Sequence, residues 1–150
     1  MKDIISIKVA VPNDYSQLMK IWETSVKSTH DFLAKSDFEL LKTIIPRDFF
    51  PQVKLFSIFE NDEIKAFLGV SDDNLEMLFV NAASRGKGLG KFAVDYALNN
   101  LKIYKVDVNE QNLQAVGFYK KLGYHQIGRS EVDGMGKPYP LLHLEFSHKS

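Results

Sequence analysis

The feature that most constrains this chain is a glycine-rich stretch between an apolar run and an amphipathic one, LFVNAASRGKGLGKFAVDYAL at residues 78–98. At its centre, glycines alternate with longer side chains in the order Arg85, Gly86, Lys87, Gly88, Leu89, Gly90 and Lys91. The apolar run predicts a strand, and apolar residues at intervals of three and four after the glycines predict a helix. We therefore expect a strand, a turn with bare backbone, and a helix.

Alternating glycines let successive backbone N–H groups approach a bulky anion without interference from Cβ atoms. The helix that follows adds unsatisfied N–H donors and the positive end of its dipole. Two phosphate motifs fit poorly: a P-loop needs Ser or Thr where Phe92 stands, and a dinucleotide fingerprint needs glycine where Lys91 stands. A plain turn with solvated lysines stays possible, but the spacing favours a pyrophosphate held mainly by backbone.

Composition narrows the function classes. The 150 residues suit one domain, 1–150, with 45% hydrophobic residues and 25% charged. Nineteen basic residues balance nineteen acidic ones, so we expect no nucleic-acid partner and no membrane surface. Without cysteine there is no thiolate ligand or acyl-cysteine, and four scattered histidines suggest no metal site. No signal-peptide pattern or long apolar run is visible, which favours a cytoplasmic enzyme or binding module.

Hydrophobic periodicity predicts the element order β-α-α-β-β-β-α-β-α-β-β. The predicted strands cover 6–11, 55–60, 63–70, 75–80, 103–108, 124–132 and 139–146. The predicted helices begin after an N-cap at Asn13, cover 37–45 up to Pro46, follow the glycines, and cover 112–123. Asn61-Asp62 predicts a hairpin turn. An antiparallel region joined to a βαβα segment indicates a mixed sheet, in the α/β or α+β class.

Two motifs together resemble the GNAT family, the Gcn5-related N-acetyltransferases. Residues 85–90, RGKGLG, match the family's [RQ]-x-x-G-x-[GA] pyrophosphate loop. Residues 112–124, NLQAVGFYKKLGY, match its second signature, N-x-x-A-x-x-F-Y-x-x-x-G-[FY], in the usual order and separation. Stretches at 28–33, 107–112 and 128–146 are similar to a bacterial subgroup of the YjaB type. Ala82 stands where the family usually has proline, which bears on loop rigidity more than on the ligand.

The resemblance implies a central mixed sheet splayed into a V, with about four helices. It implies an acetyl-CoA-dependent N-acetyltransferase that moves an acetyl group directly to a primary amine in a ternary complex, without metal. Tyr119 would be the general acid that protonates the coenzyme A thiolate. The implied coenzyme-binding residues are Leu78, Phe79, Val80, the loop residues from Arg85 to Lys91, and Asn112, Ala115, Phe118 and Tyr119.

The general base is open between two acids. Some family members carry an acid at the place of Asp107, on the predicted strand 103–108. Others use one on the strand before the loop, where Asn74 stands here and Glu76 lies close by. Either carboxylate could equally form a surface ion pair.

His30, Tyr139 and His143 fall in parts of the fold that would border the acceptor. The amine itself stays open: a protein lysine or N-terminus, an amino acid, a polyamine or an aminoglycoside-like compound. A monomer and a homodimer both fit. A non-catalytic acyl-CoA-binding module is the alternative function, although a retained Tyr119 favours catalysis.

Overall fold

The computed structural model describes residues 4–147, and its helices and strands follow the predicted order. The strands are β1 (Ile5–Val9), β2 (Lys54–Glu60), β3 (Glu63–Ser71), β4 (Asn74–Val80), β5 (Lys105–Asn109), β6 (Tyr124–Ser130) and β7 (Leu141–Phe146). The α-helices are α1 (Tyr15–Thr29), α2 (Lys35–Ile44), α3 (Leu89–Asn99) and α4 (Leu113–Leu122). Among these described residues, no helix has the length and apolar character needed to cross a membrane.

The strands form one mixed sheet in the order β1-β2-β3-β4-β5-β7-β6. The β4–β5 pair is parallel and the other pairs are antiparallel. The predicted hairpin joins β2 to β3, where Asn61 and Asp62 take φ values of 51° and 71°. Two successive left-handed residues match the twist of a tight hairpin, and Asn and Asp tolerate that conformation.

The sheet splays at its centre. β4 and β5 pair at two positions only, Asn74 with Lys105 and Leu75 with Val106. Opposite β3, the register shifts between Gly69 and Val70 and leaves an extra residue in β4. Beyond Leu75, β4 therefore turns away from β5 and exposes one backbone edge, which confirms the predicted V.

Two apolar clusters cover the two faces of the sheet. α3 and α4 pack on one face, where Leu89, Ala93 and Val94 of α3 are buried. α1 covers the other face over β3 and β4, with Leu18, Ile21 and Trp22 in its core, and Phe38 and Leu41 of α2 pack against that core. On the same face, alternate residues of β5 (Lys105, Asp107 and Asn109) are polar and partly exposed, so this part of the face is more open.

Two predicted boundaries are corrected. Asp14 rather than Asn13 precedes the first helix, because its carboxylate accepts the Val11 N–H at 3.0 Å and closes a short turn there. α2 does end before Pro46, but the chain continues helically through a wide turn at residues 45–49. Pro46 is the second residue of this turn, whose N-terminal residues need no N–H donor within it, so proline is tolerated.

Candidate active site

The glycine turn lies where β4 ends and α3 begins. Gly86 and Gly88 have φ of 82° and 83°, a left-handed conformation that favours glycine. At both positions the space a Cβ would occupy is open. The first helical bond runs from Phe92 N to Gly88 O at 2.9 Å, so the N–H groups of residues 88–91 have no acceptor within the helix. The turn therefore presents free amides to an open space.

Gly90 has a different role in the same turn. A Cβ there would lie 3.2 Å from Cζ of Phe118, a contact too close for most side chains. The missing side chain lets α3 and α4 approach each other beside the loop.

The three loop cations are held by the protein itself. The Arg85 guanidinium donates to the backbone O and the Oγ of Ser25, at 3.2 and 3.0 Å. Lys87 lies 3.9 Å from Glu60, and Lys91 lies 2.8 Å from Asp95. Because both oxygens on Arg85 are neutral, its charge is not cancelled by a carboxylate, and burial lowers its pKa.

A cavity of about 330 Å³ opens between the glycine turn, β4, α1 and α4. Every predicted coenzyme residue except Lys87 lines it. Sequence reasoning missed four further polar residues in its wall: Ser25, Thr29, Ser84 and Gln114. Ser25 and Thr29 come from α1, which is distant in sequence, and no local pattern marks them. Gln114 sits inside the second motif at a variable position, so the motif gives no signal for it.

Tyr119 reaches this cavity from α4 and is 5% exposed. Its ring packs edge-on against Tyr124 at 5.3 Å between centroids. Burial first, and the nearby Tyr124 second, raise the Tyr119 pKa above its ordinary value near 10. Within residues 4–147 its hydroxyl has no hydrogen-bond partner, so it can donate to a ligand.

Asn112 caps the N-terminus of α4. Its Oδ1 accepts the Ala115 N–H at 3.2 Å, which leaves the amide nitrogen free to face the cavity that it lines. The motif's asparagine thus fixes the start of α4, and α4 in turn carries Tyr119.

A second cavity, of about 160 Å³, adjoins the first through two shared wall residues, His30 and Phe79. It lies between the α1–α2 connection and the β6–β7 loop. Its walls are Trp22, Val26, Phe32, Leu33, Asp37, Leu40, Leu41, Asn109, Asp133, Met135, Lys137 and Tyr139. Among the residues predicted to border the acceptor, it contains His30 and Tyr139 but not His143.

Tyr139 ties the two sides of the second cavity together. Its hydroxyl donates to Asp37 and accepts the Ala34 N–H at 3.1 Å. Lys137 lies 3.0 Å from the other oxygen of Asp37. The Tyr139 hydrogen bond, followed by that of Lys137, lowers the Asp37 pKa. This network fastens the start of α2 to the β6–β7 loop.

His30 forms part of the wall between the cavities, and its Nδ1 lies 2.7 Å from Thr29 Oγ1. Burial lowers its pKa to about 4, and the charge of Arg85 acts in the same direction. The imidazole is therefore neutral at neutral pH.

The two candidate bases lie in different surroundings. Asp107 accepts from Nδ2 of Asn74 at 3.3 Å and lies 2.7 Å from Nδ1 of His143. Glu76 is exposed and accepts from Ser71 Oγ at 2.8 Å, and neither it nor Asp107 lines either cavity. The structure thus brings Asp107, His143 and Asn74 together and leaves Glu76 apart. Over residues 4–147, no cluster of three or more His, Asp or Glu is placed to hold a metal ion.

The comparisons with known proteins agree on one family. A family model described as "Acetyltransferase (GNAT) domain" matches residues 18–137. The peptidyl-lysine N-acetyltransferase YjaB of Escherichia coli is 41% identical over 144 residues, covering 95% of this chain and 97% of the relative. Its Salmonella typhimurium counterpart is 41% identical over 142 residues, covering 94% and 97%.

Solved structures agree on the fold. The solution structure of apo-form YjaB from Escherichia coli has a TM-score of 0.89 at 39% identity, covering 97% of this chain and 99% of that one. The PaiA N-acetyltransferase of Thermoplasma acidophilum, crystallised with coenzyme A, has a TM-score of 0.72 at 16% identity, covering 96% and 99%. At that identity, the second likeness shows the fold alone.

Proposed function

The chain belongs to the GNAT family of acetyltransferases, and from this premise we propose that it acetylates lysine side chains of proteins, with acetyl-CoA in the glycine-turn cavity. The prediction of an acetyl-CoA-dependent N-acetyltransferase is confirmed by the family model and the curated relatives. The lysine acceptor is the step beyond that finding. The residue roles, a single domain over 1–150, a cytoplasmic location, and a monomer or homodimer stay predictions.

The glycine turn is suited to the diphosphate of the coenzyme. Free amides at 88–91 face a space that side chains leave open at Gly86 and Gly88, and α3 adds its positive dipole end. Lys87 and Lys91 are already engaged with Glu60 and Asp95, so backbone donors carry most of this contact. Arg85, whose charge no carboxylate cancels, adds long-range attraction.

The open edge of β4 is suited to the pantetheine arm. Beyond Leu75, β4 has no strand beside it on the side of β5, so its backbone can hydrogen-bond to an extended amide chain as another strand would. A backbone N–H there can also polarise the acetyl carbonyl, as in an oxyanion hole. Because backbone does this work, substitutions at Leu78 and Val80 should act indirectly.

Tyr119 is placed to stabilise the departing thiolate. A phenol with an ordinary pKa near 10 is already a weaker acid than a thiol near 8.5, and burial raises the Tyr119 pKa further. Complete proton transfer to the thiolate is therefore uphill. The role that fits is a hydrogen bond to sulfur that strengthens as negative charge develops, with the phenol protonated throughout.

The second cavity supports a lysine rather than a larger amine. Its walls are mostly apolar, which suits the four-carbon stem of lysine. The carboxylate of Asp37 is engaged by Tyr139 and Lys137, and that of Asp133 accepts the N–H groups of Met135 and Lys137. A polyamine would need several uncommitted carboxylates. The exposed Leu40 and Met135 at the rim suit a protein surface.

The observation that carries the proposal is the adjacency of the two cavities at His30 and Phe79, which brings an amine in one next to a thioester in the other. The test is acetyl-CoA turnover with a lysine-peptide panel, spermidine and an aminoglycoside, read by mass spectrometry. Acetyl-lysine in the peptides with little product from the small amines supports the proposal. Faster acetylation of spermidine or the aminoglycoside would contradict it.

A further inference from the structure

A chain of hydrogen bonds crosses four neighbouring strands on the open face of the sheet. Asn74 on β4 donates to Asp107 on β5 at 3.3 Å. The other oxygen of Asp107 lies 2.7 Å from Nδ1 of His143 on β7. Nε2 of His143 lies 2.7 Å from Oγ of Ser130 on β6. We call these four residues the cross-strand chain.

The donor and acceptor chemistry of these groups fixes one direction for the hydrogen bonds of the cross-strand chain. A carboxylate only accepts, so the proton between Asp107 and His143 belongs to Nδ1. A neutral imidazole protonated at Nδ1 has a lone pair at Nε2, and the Ser130 hydroxyl therefore donates to it. Ser130 Oγ keeps its own lone pairs for a further donor. A proton that reaches Ser130 can thus pass to Nε2, next to a carboxylate that stabilises the imidazolium.

The cross-strand chain lies beside the second cavity. Asp107 is paired with His143, and the next pair on the same face is Asn109 with Leu141. Asn109 lines the second cavity. Ser130 lines neither cavity, but it is paired with Leu141 and so stands in the same row as Asn109, one step beyond His143. Ser130 is therefore the member of the cross-strand chain whose row borders the second cavity.

Gly128 stands opposite His143 in the β6–β7 pairing, and a Cβ there would lie 3.4 Å from Cδ2 of the ring, an ordinary contact distance. The imidazole therefore lies close to the β6 backbone, on the side of Ser130.

Among the described residues, Asp107 is the carboxylate within hydrogen-bond distance of His143. Lys105 and Glu145 form the next pair on the far side of His143, and Lys105 lies 3.1 Å from Asp73. The titratable groups on β4, β5, β6, β7 and the β6–β7 loop are Glu76, Lys105, Asp107, Tyr124, His125, Arg129, Glu131, Asp133, Lys137, Tyr139 and Glu145, and Asp73 directly precedes β4.

We propose that Ser130 and His143 take the proton of the acceptor ammonium, with Asp107 and Asn74 as positioning residues. An N–H bond of the ammonium breaks, and its proton goes to Ser130 Oγ, directly or through one water. The Ser130 proton goes to His143 Nε2, and the freed lone pair on nitrogen attacks the acetyl carbonyl. The imidazolium returns its proton to solvent after the product leaves. This inference rests on the proposed lysine acetylation and assigns the base to His143 rather than to Asp107 or Glu76.

The kinetic test uses matched pairs with acetyl-CoA and the best lysine peptide of the panel. Ser130→Ala and His143→Gln are expected to lower kcat at least about 10-fold, with the KM for acetyl-CoA unchanged. Ser130→Thr keeps the hydroxyl and is expected to stay within about 3-fold of the native enzyme. Asp107→Asn should lower kcat, whereas the same change of carboxylate to amide in Glu76→Gln should not.

A second readout does not depend on turnover. Nitrogen NMR of the native protein should show the His143 ring protonated at Nδ1 and bare at Nε2. In Asp107→Asn the new amide can donate to Nδ1, so the ring should move toward the opposite tautomer. A native ring protonated at Nε2 would overturn the relay whatever the kinetics show.

The outcomes separate this inference from the function beneath it. Full activity of Ser130→Ala, with native acetylation of lysine peptides, overturns the relay and leaves the proposed function standing. An acetyl group on Ser130 in the intact mass overturns it in favour of a covalent intermediate. A native enzyme that acetylates no amine overturns both.

Discussion

The two adjoining cavities are built from different parts of the chain. The glycine-turn cavity has backbone amides, left-handed glycines and one capped helix, and most of its wall comes from residues 78–91 and 112–119. The second cavity has side chains from α1, α2, β4, β5 and the β6–β7 loop, held by the Asp37–Tyr139 hydrogen bond. Backbone geometry fixes the first, and tertiary contacts between distant side chains fix the second.

In the proposed enzyme, this difference in construction explains why the first cavity can accept any diphosphate of the right shape, whereas the second can select among amines. Amides at a helix N-terminus recognise any diphosphate of the right shape, so the donor site depends on conformation more than on side-chain identity. In the proposed enzyme the second cavity takes the amine and depends on which side chains meet, so substitution there can change the amine without disturbing the coenzyme. Substitutions around the glycine turn should therefore weaken coenzyme binding, whereas substitutions around the second cavity should alter how the amine is bound.

The largest expected effect follows from placing a side chain on the glycine turn. Gly88→Val combines a left-handed φ of 83° with a branched side chain in the open space. We expect coenzyme A to bind about 100-fold more weakly in titration calorimetry, about 3 kcal/mol. The control is Gly117→Ala, where a Cβ also meets nothing but the residue lies inside α4, so binding should not change. Equal affinities for the two variants would refute a backbone-built donor site.

The next effect concerns His30, which belongs to both cavities. Its pKa falls from about 6.5 to about 4 on folding, so the unfolded chain takes up a proton first as the pH drops. The free energy of unfolding is therefore full above pH 6.5 and declines toward pH 4. His30→Gln should reduce the loss of stability between pH 7 and pH 5 by about 2 kcal/mol. Urea denaturation at the two pH values measures this.

The native protein at the same two pH values is the reference for His30→Gln. A His30 variant with the native pH dependence would mean that the wall between the cavities is open to water.

Most of the fold could be predicted from the sequence because local patterns carry it. Alternation, helical spacing and the Asn61-Asp62 turn identified each strand and α-helix in order. The splay of the sheet came from the family resemblance rather than from periodicity. Boundaries failed where a side chain changed the local hydrogen bonding, as Asp14 does before α1, or where proline was accommodated, as Pro46 is in the wide turn.

The candidate site shows the same division between parts that are local in sequence and parts that are not. The two motifs contain most of the residues that line the glycine-turn cavity, because that cavity is local in sequence. The cross-strand chain joins Asn74, Asp107, Ser130 and His143 through sheet register, which no motif encodes. Sequence reasoning placed Asp107 and His143 separately, as a base and an acceptor contact, and missed Ser130. It also could not foresee that Arg85 would bind Ser25.

Tyr119 tests the donor side without altering backbone. Tyr119→Phe keeps the buried ring and removes the hydroxyl, so kcat should fall about 10-fold or more while the KM for acetyl-CoA stays unchanged. Tyr96→Phe is the control, since Tyr96 packs against Phe56 in the same apolar cluster but lines neither cavity. Because burial raises the Tyr119 pKa, its ionisation should cause no loss of activity up to about pH 10. Unchanged turnover in Tyr119→Phe would remove this residue from the chemistry.

The smallest expected effect should appear on the acceptor side alone. Tyr139→Phe keeps the ring in the second cavity and removes the hydrogen bond to Asp37 that ties α2 to the β6–β7 loop. We expect the KM for the lysine peptide to rise about 3-fold, with kcat and the KM for acetyl-CoA unchanged, because the loop loses a tether but the donor cavity does not. Tyr15→Phe, at the start of α1 and outside both cavities, should leave all three constants at native values. A matching rise in the KM for acetyl-CoA in Tyr139→Phe would show that the two cavities are coupled, and the contrast between a backbone-built site and a side-chain-built one would then be too simple.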